Sequence, residues 1–482
     1  MRWSYFVAIV ANRGLAFALL LTLSHIMRPA DFGLYSLVAV NALVVSNLAG
    51  TWIATTATRL IAICSPDERG GAIARIARIT AYVLILQLAV GTVLAVGAIA
   101  LGREADVPLL VLTLAWAMAT IIYDVVLATK NGLSAGKSYM SMSIARNLLA
   151  LLFCVALAFA GLPASWVVTG QVAAILIAVA ASSSVWQLAG MAANSRADPS
   201  VGTRGSSGNF SLLELLAFGF SGTMVFSFLV IMNGVFRNAV FYSLGTGATG
   251  VYALVGDMFY APITLLAAAY SLSRQPHLYS LADAAKDVRE AEYSRFLGVI
   301  AFTVIGYGAI GFLLAPSLIA PIVSDGMRTD AVIVASWSAL QTALVTMMVA
   351  YTQLLLASGQ KRKVWLTVLI SLCFILVAAF SGMVMKSLYW FAVFGVAASF
   401  AALVLSAFVS GSSVLPLESI GRSAVAAAAA GCAVFFVPHG DGLIMALAAA
   451  LIGGLVYLLV AWLLRASEVS ELLPVFNRRK GY

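Results

Sequence analysis

The sequence predicts an all-α integral membrane protein of about fourteen transmembrane helices, and three observations lead there. Hydrophobic residues make up 62% of the 482-residue chain and charged residues only 10%. The mean hydropathy is +1.02, too apolar for a domain that must present a charged surface to water. The apolar residues also gather into runs of about 20, the length that carries a helix across roughly 30 Å of hydrocarbon, and the loops between them are short.

In order, the runs cover 4–27, 34–57, 79–101, 107–129, 139–161, 165–188, 212–235, 247–272, 295–316, 331–357, 364–385, 388–410, 423–438 and 442–464. With the first residue in the cytoplasm, alternate loops and the C-terminal tail hold 21 of the 28 Lys and Arg residues, the opposite side holds 5, and Arg13 and Arg146 fall inside spans. The positive-inside rule therefore places both termini in the cytoplasm. The net charge of +9 is mostly this topological bias, with added attraction to anionic headgroups, and no basic tail points to nucleic acid. Arg13 breaks the first apolar run and a second span follows closely, so no cleaved signal peptide is expected. Cys64, Cys154, Cys373 and Cys432 show no paired spacing and read as separate buried thiols.

Two polar stretches punctuate the chain. Residues 189–211 are rich in Gly, Ser and Asn and read as a flexible linker. Residues 273–295 carry Asp283, Lys286, Asp287, Arg289 and Glu290 in one run and read as a short amphipathic helix at the interface. Gly33-Leu34-Tyr35-Ser36-Leu37-Val38 is echoed by Gly250-Val251-Tyr252-Ala253-Leu254-Val255, and Ser134-Ala135-Gly136-Lys137 by Ala357-Ser358-Gly359-Gln360-Lys361. Both echoes join elements six spans apart in the same orientation, which predicts a parallel repeat with a substrate cavity between the halves. The organisation expected is an N-terminal lobe at 1–208, a C-terminal lobe at 209–411, and an accessory pair of Ala-rich spans with a tail at 412–482.

Ionisable groups within spans are costly, commonly about 2.5–3.5 kcal/mol each at the bilayer centre, and mark cavities or partners. Arg13 and Asp257 both lie about ten residues into their spans, at roughly 15 Å depth, and are expected to meet. In one reading Arg13 attracts an anionic substrate while Asp257 pairs with it or holds a coupling cation; in the other the two form a static pair. Asp124 and Arg146 sit on consecutive spans joined by a short loop and are expected side by side, mainly for packing, with Asn12 and Asn147 as polar neighbours. Arg237 shares a helix face with Asn233 and reads mainly as a side chain snorkelling to the headgroups, or else as a rim for sugar hydroxyls. Arg59 lies at the inner end of span two, where Lys137 and Lys361-Arg362-Lys363 add to a positive cytoplasmic mouth. The candidate binding residues are thus Arg13, Asn12, Arg146, Arg237 and Arg59, and the candidate coupling or ion-pair residues Asp257 and Asp124.

Gly132 to Ser138 has the look of a phosphate-binding loop, but its glycines are too close together and no strand precedes it. ATP is not the expected energy source. No zinc, dinucleotide or nucleophile-elbow motif is present, so neither metal nor cofactor is expected, nor enzymatic activity.

Leu23-Ser24-His25-Ile26-Met27-Arg28-Pro29-Ala30-Asp31-Phe32-Gly33-Leu34-Tyr35 resembles the first hairpin of polysaccharide-exporting flippases, whose usual form is L-G-P-x-x-F-G-x-Y; Met27-Arg28 here replaces Leu-Gly. Tyr242-Ser243-Leu244-Gly245 and Gly250 to Leu254 look like the second-half signature of the same family. With the span count, the resemblance covers nearly the whole chain. It implies the multidrug/oligosaccharidyl-lipid/polysaccharide exporter superfamily and, within it, the O-antigen and exopolysaccharide flippases. The implied fold is two six-helix lobes in a V with extra helices beside them. The implied task is moving an oligosaccharide on undecaprenyl diphosphate across the bacterial inner membrane by alternating access. Implied partners are that glycolipid, membrane lipids, an H⁺ or Na⁺ counter-ion, and a polysaccharide polymerase with its chain-length regulator. A multidrug/cation antiporter or a peptidoglycan-precursor flippase is the nearest alternative. A membrane glycosyltransferase or polymerase is weighed against the short outer loops, such as 102–106, 236–246 and 317–330, which leave little room for chemistry.

Overall fold

The computed structural model describes residues 3–64, 69–133, 135–182, 212–281, 285–410, 416–437 and 443–464. Among them are fourteen α-helices and a single 3-10 turn at Glu104–Asp106, with no strand. The helices are α1 (Trp3–Ile26), α2 (Pro29–Ile63), α3 (Arg69–Ala100), α4 (Val107–Gly132), α5 (Gly136–Phe159), α6 (Ala164–Ala180) and α7 (Leu212–Leu244). They continue with α8 (Thr246–Ser280), α9 (Lys286–Ile319), α10 (Asp325–Ala357), α11 (Lys361–Met385), α12 (Leu388–Ser410), α13 (Leu417–Phe436) and α14 (Leu443–Leu463). Every predicted run is matched by one helix. Twelve of them, α2 to α5 and α7 to α14, are long and apolar enough to cross a membrane, whereas α6 is apolar but shorter, at 17 residues. The chain is a multi-pass membrane protein.

Local chemistry sets the helix ends. Pro29 supplies a preset φ at the first turn of α2, where its missing N–H costs nothing, and Arg28 before it is extended. Gly245, at φ +89°, separates α7 from α8 in one residue, so most of the outer loop expected at 236–246 is helix instead. At the end of α11, Lys386 takes the left-handed conformation (φ 47°) and donates its N–H to the Gly382 carbonyl at 3.0 Å.

The amphipathic helix expected at 273–295 is not a separate element. Helix α8 runs on to Ser280 and α9 starts at Lys286, so the polar residues extend two spans beyond the hydrocarbon. Polar contacts line this extension: Lys286 reaches Glu290 at 3.9 Å one turn on, and the His277 ring of α8 lies 3.6 Å from the Glu292 carboxylate of α9. Asp283 and the linker expected at 189–211 lie outside the described residues, as do the lobe boundaries expected at 208/209 and 411/412.

The chain forms two compact units, Met1–Gly234 and Val235–Tyr482, divided within α7. In the first, α2 packs along α4, α1 on α5, and α5 on α6. Ile53, Ala57 and Ile61 of α2 interlock with Ile73 and Ile76 of α3 and with Ile121 and Val125 of α4. The α2–α4 crossing is close enough to need glycine: a Cβ on Gly132 would lie 2.9 Å from the Thr58 carbonyl oxygen. In the second unit α9 and α10 form the central pair, with α8 and α12 against α10 and α13 against α9. Helices α13 and α14 pack on each other and on α9, where Tyr457 of α14 donates its hydroxyl to the Phe302 carbonyl at 2.6 Å. All four cysteines are free, but only Cys154 is fully buried; Cys373 and Cys432 are exposed on helix surfaces, because a thiol is apolar enough to face hydrocarbon.

Candidate functional site

Both units carry polar groups inside apolar helix bundles, and several of the residues singled out above are among or beside them.

In the first unit the site is built on α1, α4 and α5. Helix α5 contains Ser143, Arg146 and Asn147, whose spacing of three and four residues puts them on one face. Helix α1 packs on that face and brings Asn12 to it. The Asn12 Nδ2 donates to Ser143 Oγ, and Asn147 Nδ2 donates to Asn12 Oδ1 at 2.9 Å and to the Ser143 carbonyl at 3.4 Å. The three side chains therefore form a closed amide–hydroxyl network between α1 and α5. One residue around the helix, the Arg146 guanidinium lies 4.5 Å above the centre of the Tyr123 ring of α4, a cation–π geometry that suits a cation held away from water. Its charge also acts on Asp124, the neighbour of Tyr123. The structure thus brings Asp124 and Arg146 into one neighbourhood, with the guanidinium over the Tyr123 ring. The Arg146 Nε is buried without a hydrogen-bond partner, so the guanidinium is not fully satisfied.

Arg13 follows Asn12 on α1, ten residues from the start of the helix, and its side chain is exposed. Arg59 belongs to the last turns of α2, but its side chain lies outside the described residues. Further along the first unit, Lys130 at the end of α4 is 1% exposed. Its ammonium donates to Ser182 Oγ and to Met142 Sδ at 3.1 Å, with no carboxylate partner among the described residues.

In the second unit the site is built on α7, α8 and α10. Asp257 is not left unpaired within its own unit: it is paired with Arg237 of α7, a partner the sequence did not suggest. Arg237 does not snorkel either, since its side chain is 7% exposed while that of Asp257 is 32% exposed. The tight Gly245 turn joins α7 to α8 in one residue, and the long arginine side chain reaches Asp257, twenty residues further along the chain. Tyr252, one helical turn before Asp257, feels the Arg237 charge and hydrogen-bonds Gln341 of α10. Gln341 in turn packs on α12 at Gly395, where a Cβ would lie 2.7 Å from its Nε2.

Sequence reasoning missed Ser143, Tyr123 and Gln341. Ser143 was findable, because it shares a helical face with Arg146 and Asn147. Tyr123 and Gln341 enter only through helix packing. Among the described residues no cluster of His, Cys, Asp or Glu could hold a metal ion.

These features define a polytopic helical membrane protein that carries charged and amide groups within each unit. Comparison with solved structures shows the fold. The chain is similar to the lipid II flippase MurJ in an inward closed conformation, with a TM-score of 0.71 at 12% identity over 94% of this chain and 97% of that one. It is similar also to an inward-facing multidrug resistance MATE family transporter of the MOP superfamily, with a TM-score of 0.57 at 12% identity over 87% and 98%. A mutant form of the Vibrio cholerae MATE transporter VcmN gives 0.52 at 14% identity over 85% and 94%. No protein-family profile and no curated protein matches the sequence. The fold is therefore the one that these flippase and MATE transporter structures share.

Proposed function

We propose that the protein is a flippase that carries a polyprenyl-diphosphate-linked oligosaccharide across a bacterial inner membrane by alternating access, with both termini in the cytoplasm and no enzymatic step. The head group of such a lipid bears two phosphates and many hydroxyls that hydrocarbon cannot solvate, so the protein needs only to offer a polar path. The observation that carries the reading is the sign of the groups inside the first unit. Arg13 is exposed midway along α1, next in sequence to Asn12 of the amide network, and Arg146 precedes Asn147 of that network on α5. Guanidinium groups suit phosphate, and amides suit sugar hydroxyls. A carrier of organic cations would present carboxylates instead, and Asp124 lies under the Arg146 charge.

A peptidoglycan-precursor flippase is the second reading, favoured by the chain-wide fold likeness to a lipid II flippase. The division of the chain into two repeated six-helix lobes with an accessory pair, and the roles of polymerase and chain-length regulator as partners, belong to the same proposal.

A deletion strain tests it. Lipid-linked repeat units should accumulate on the cytoplasmic face, and Arg13→Ala should insert normally yet fail to clear them. Arrest of cell-wall synthesis with intact surface polysaccharide would instead select the peptidoglycan reading. Intact glycans with sensitivity to toxic cations would select a drug antiporter.

A further inference from the structure

We propose that Arg237 is a tethered counter-cation: it occupies the place beside Asp257 that a sodium ion or proton from solution would otherwise take, and its removal turns Asp257 into a cation-binding site. The inference rests on the transport reading only for its significance; its geometry stands alone.

The pair is asymmetric. The arginine side chain is 7% exposed and the aspartate 32%, so the carboxylate is the more accessible half of the pair. A carboxylate within a membrane-spanning helix needs a proton, a cation or a paired side chain, because leaving it charged and unpaired is costly. Here the neutralising charge comes covalently, from the preceding helix. A mobile cation would have to displace a guanidinium that is itself buried, stranding one charge to satisfy another. The same network supplies Tyr252, which feels Arg237, and Gln341, which hydrogen-bonds Tyr252. The Asp257 carboxylate is an oxygen donor of the kind that hard cations prefer, and a resident cation already stands beside it. The consequence is that the second unit requires neither sodium nor a proton at Asp257 to be charge-neutral.

The charged and titratable groups of this network include, among the described residues, Arg237 from α7 and Asp257 and Tyr252 from α8, with Gln341 of α10 as a neutral partner. The test is thermal stability of the full chain in lipid nanodiscs. Sodium chloride is compared with N-methylglucamine chloride at equal ionic strength, so that screening is constant, and at several pH values. The wild-type midpoint should be the same in both salts. Arg237→Met should lose stability in N-methylglucamine and regain it either on adding sodium or on acidification, the two arms separating an ion from a proton. Arg237→Met/Asp257→Asn should return towards wild type and respond to neither. Should Arg237→Met fail to fold, Asp257→Asn, which strands the guanidinium, is expected to be less stable than the double variant. Two results overturn the proposal: a wild-type midpoint that rises with sodium and no longer does so in Asp257→Asn, or an Arg237→Met protein indifferent to sodium and pH alike. Because the readout is ion binding and not glycolipid movement, either outcome leaves the flippase reading to its own test.

Discussion

Replacing Asn12 by alanine tests whether the amide network joins α1 to α5. The side chain takes part in two interhelical hydrogen bonds, one donated to Ser143 and one accepted from Asn147 at 2.9 Å. Interhelical hydrogen bonds in membranes average about 0.6 kcal/mol, because the unfolded chain also finds partners in the bilayer, so losing both costs about 1.2 kcal/mol. Asn147 keeps its 3.4 Å contact with the Ser143 carbonyl, which holds the loss near this figure. At about 1.4 kcal/mol per tenfold, the equilibrium for separating α1 from α5 moves roughly sevenfold. Reversible unfolding in mixed micelles measures the change, and a double-mutant cycle of Asn12→Ala with Asn147→Ala isolates the shared bond. An Asn12→Ala protein as stable as wild type, or a cycle with no coupling energy, would refute an amide network that joins α1 to α5.

Lys130→Met removes a buried ammonium held, among the described residues, by a hydroxyl and a thioether. It should raise the thermal midpoint or leave it unchanged, as buried charges replaced by apolar side chains commonly do. Lys130→Gln, which keeps polarity without charge, should fall between the two. Gly132→Leu forces side-chain atoms against the Thr58 carbonyl and should lower stability by about 1–3 kcal/mol, read from denaturant midpoints, with Gly132→Ala milder. Tyr457→Phe deletes the hydroxyl that anchors α14 on the Phe302 carbonyl and should cost about 1 kcal/mol, with cysteine cross-linking between α9 and α14 loosened but not abolished.

The helices were legible in the sequence because hydrocarbon thickness imposes a length on every apolar run. Their ends were less so. Helix α3 begins ten residues before the apolar run it contains, at Arg69, and α9 begins nine residues early, at Lys286, because hydropathy marks where lipid starts and not where backbone hydrogen bonding does. The first-unit site was largely readable: Arg146 and Asn147 are polar interruptions in an apolar run, and a short loop to α4 placed Asp124 within reach. The partner of Asp257 was not. Depth pointed to Arg13, and the pairing with Arg237 depends on a one-residue turn at Gly245 that hydropathy had read as part of an eleven-residue loop. Which aromatic face receives Arg146 depends on how α4 is rotated about its axis, and no single-helix pattern records that.

The most direct measurement of the account is translocation by the purified protein. Proteoliposomes carrying a fluorescent polyprenyl-diphosphate oligosaccharide in the inner leaflet should expose it to an external, membrane-impermeant quencher. Wild type should accelerate that exposure well above empty liposomes, and Arg13→Ala should lose the acceleration while remaining folded. Equal rates with and without wild-type protein, alongside active export of an organic cation, would contradict the account.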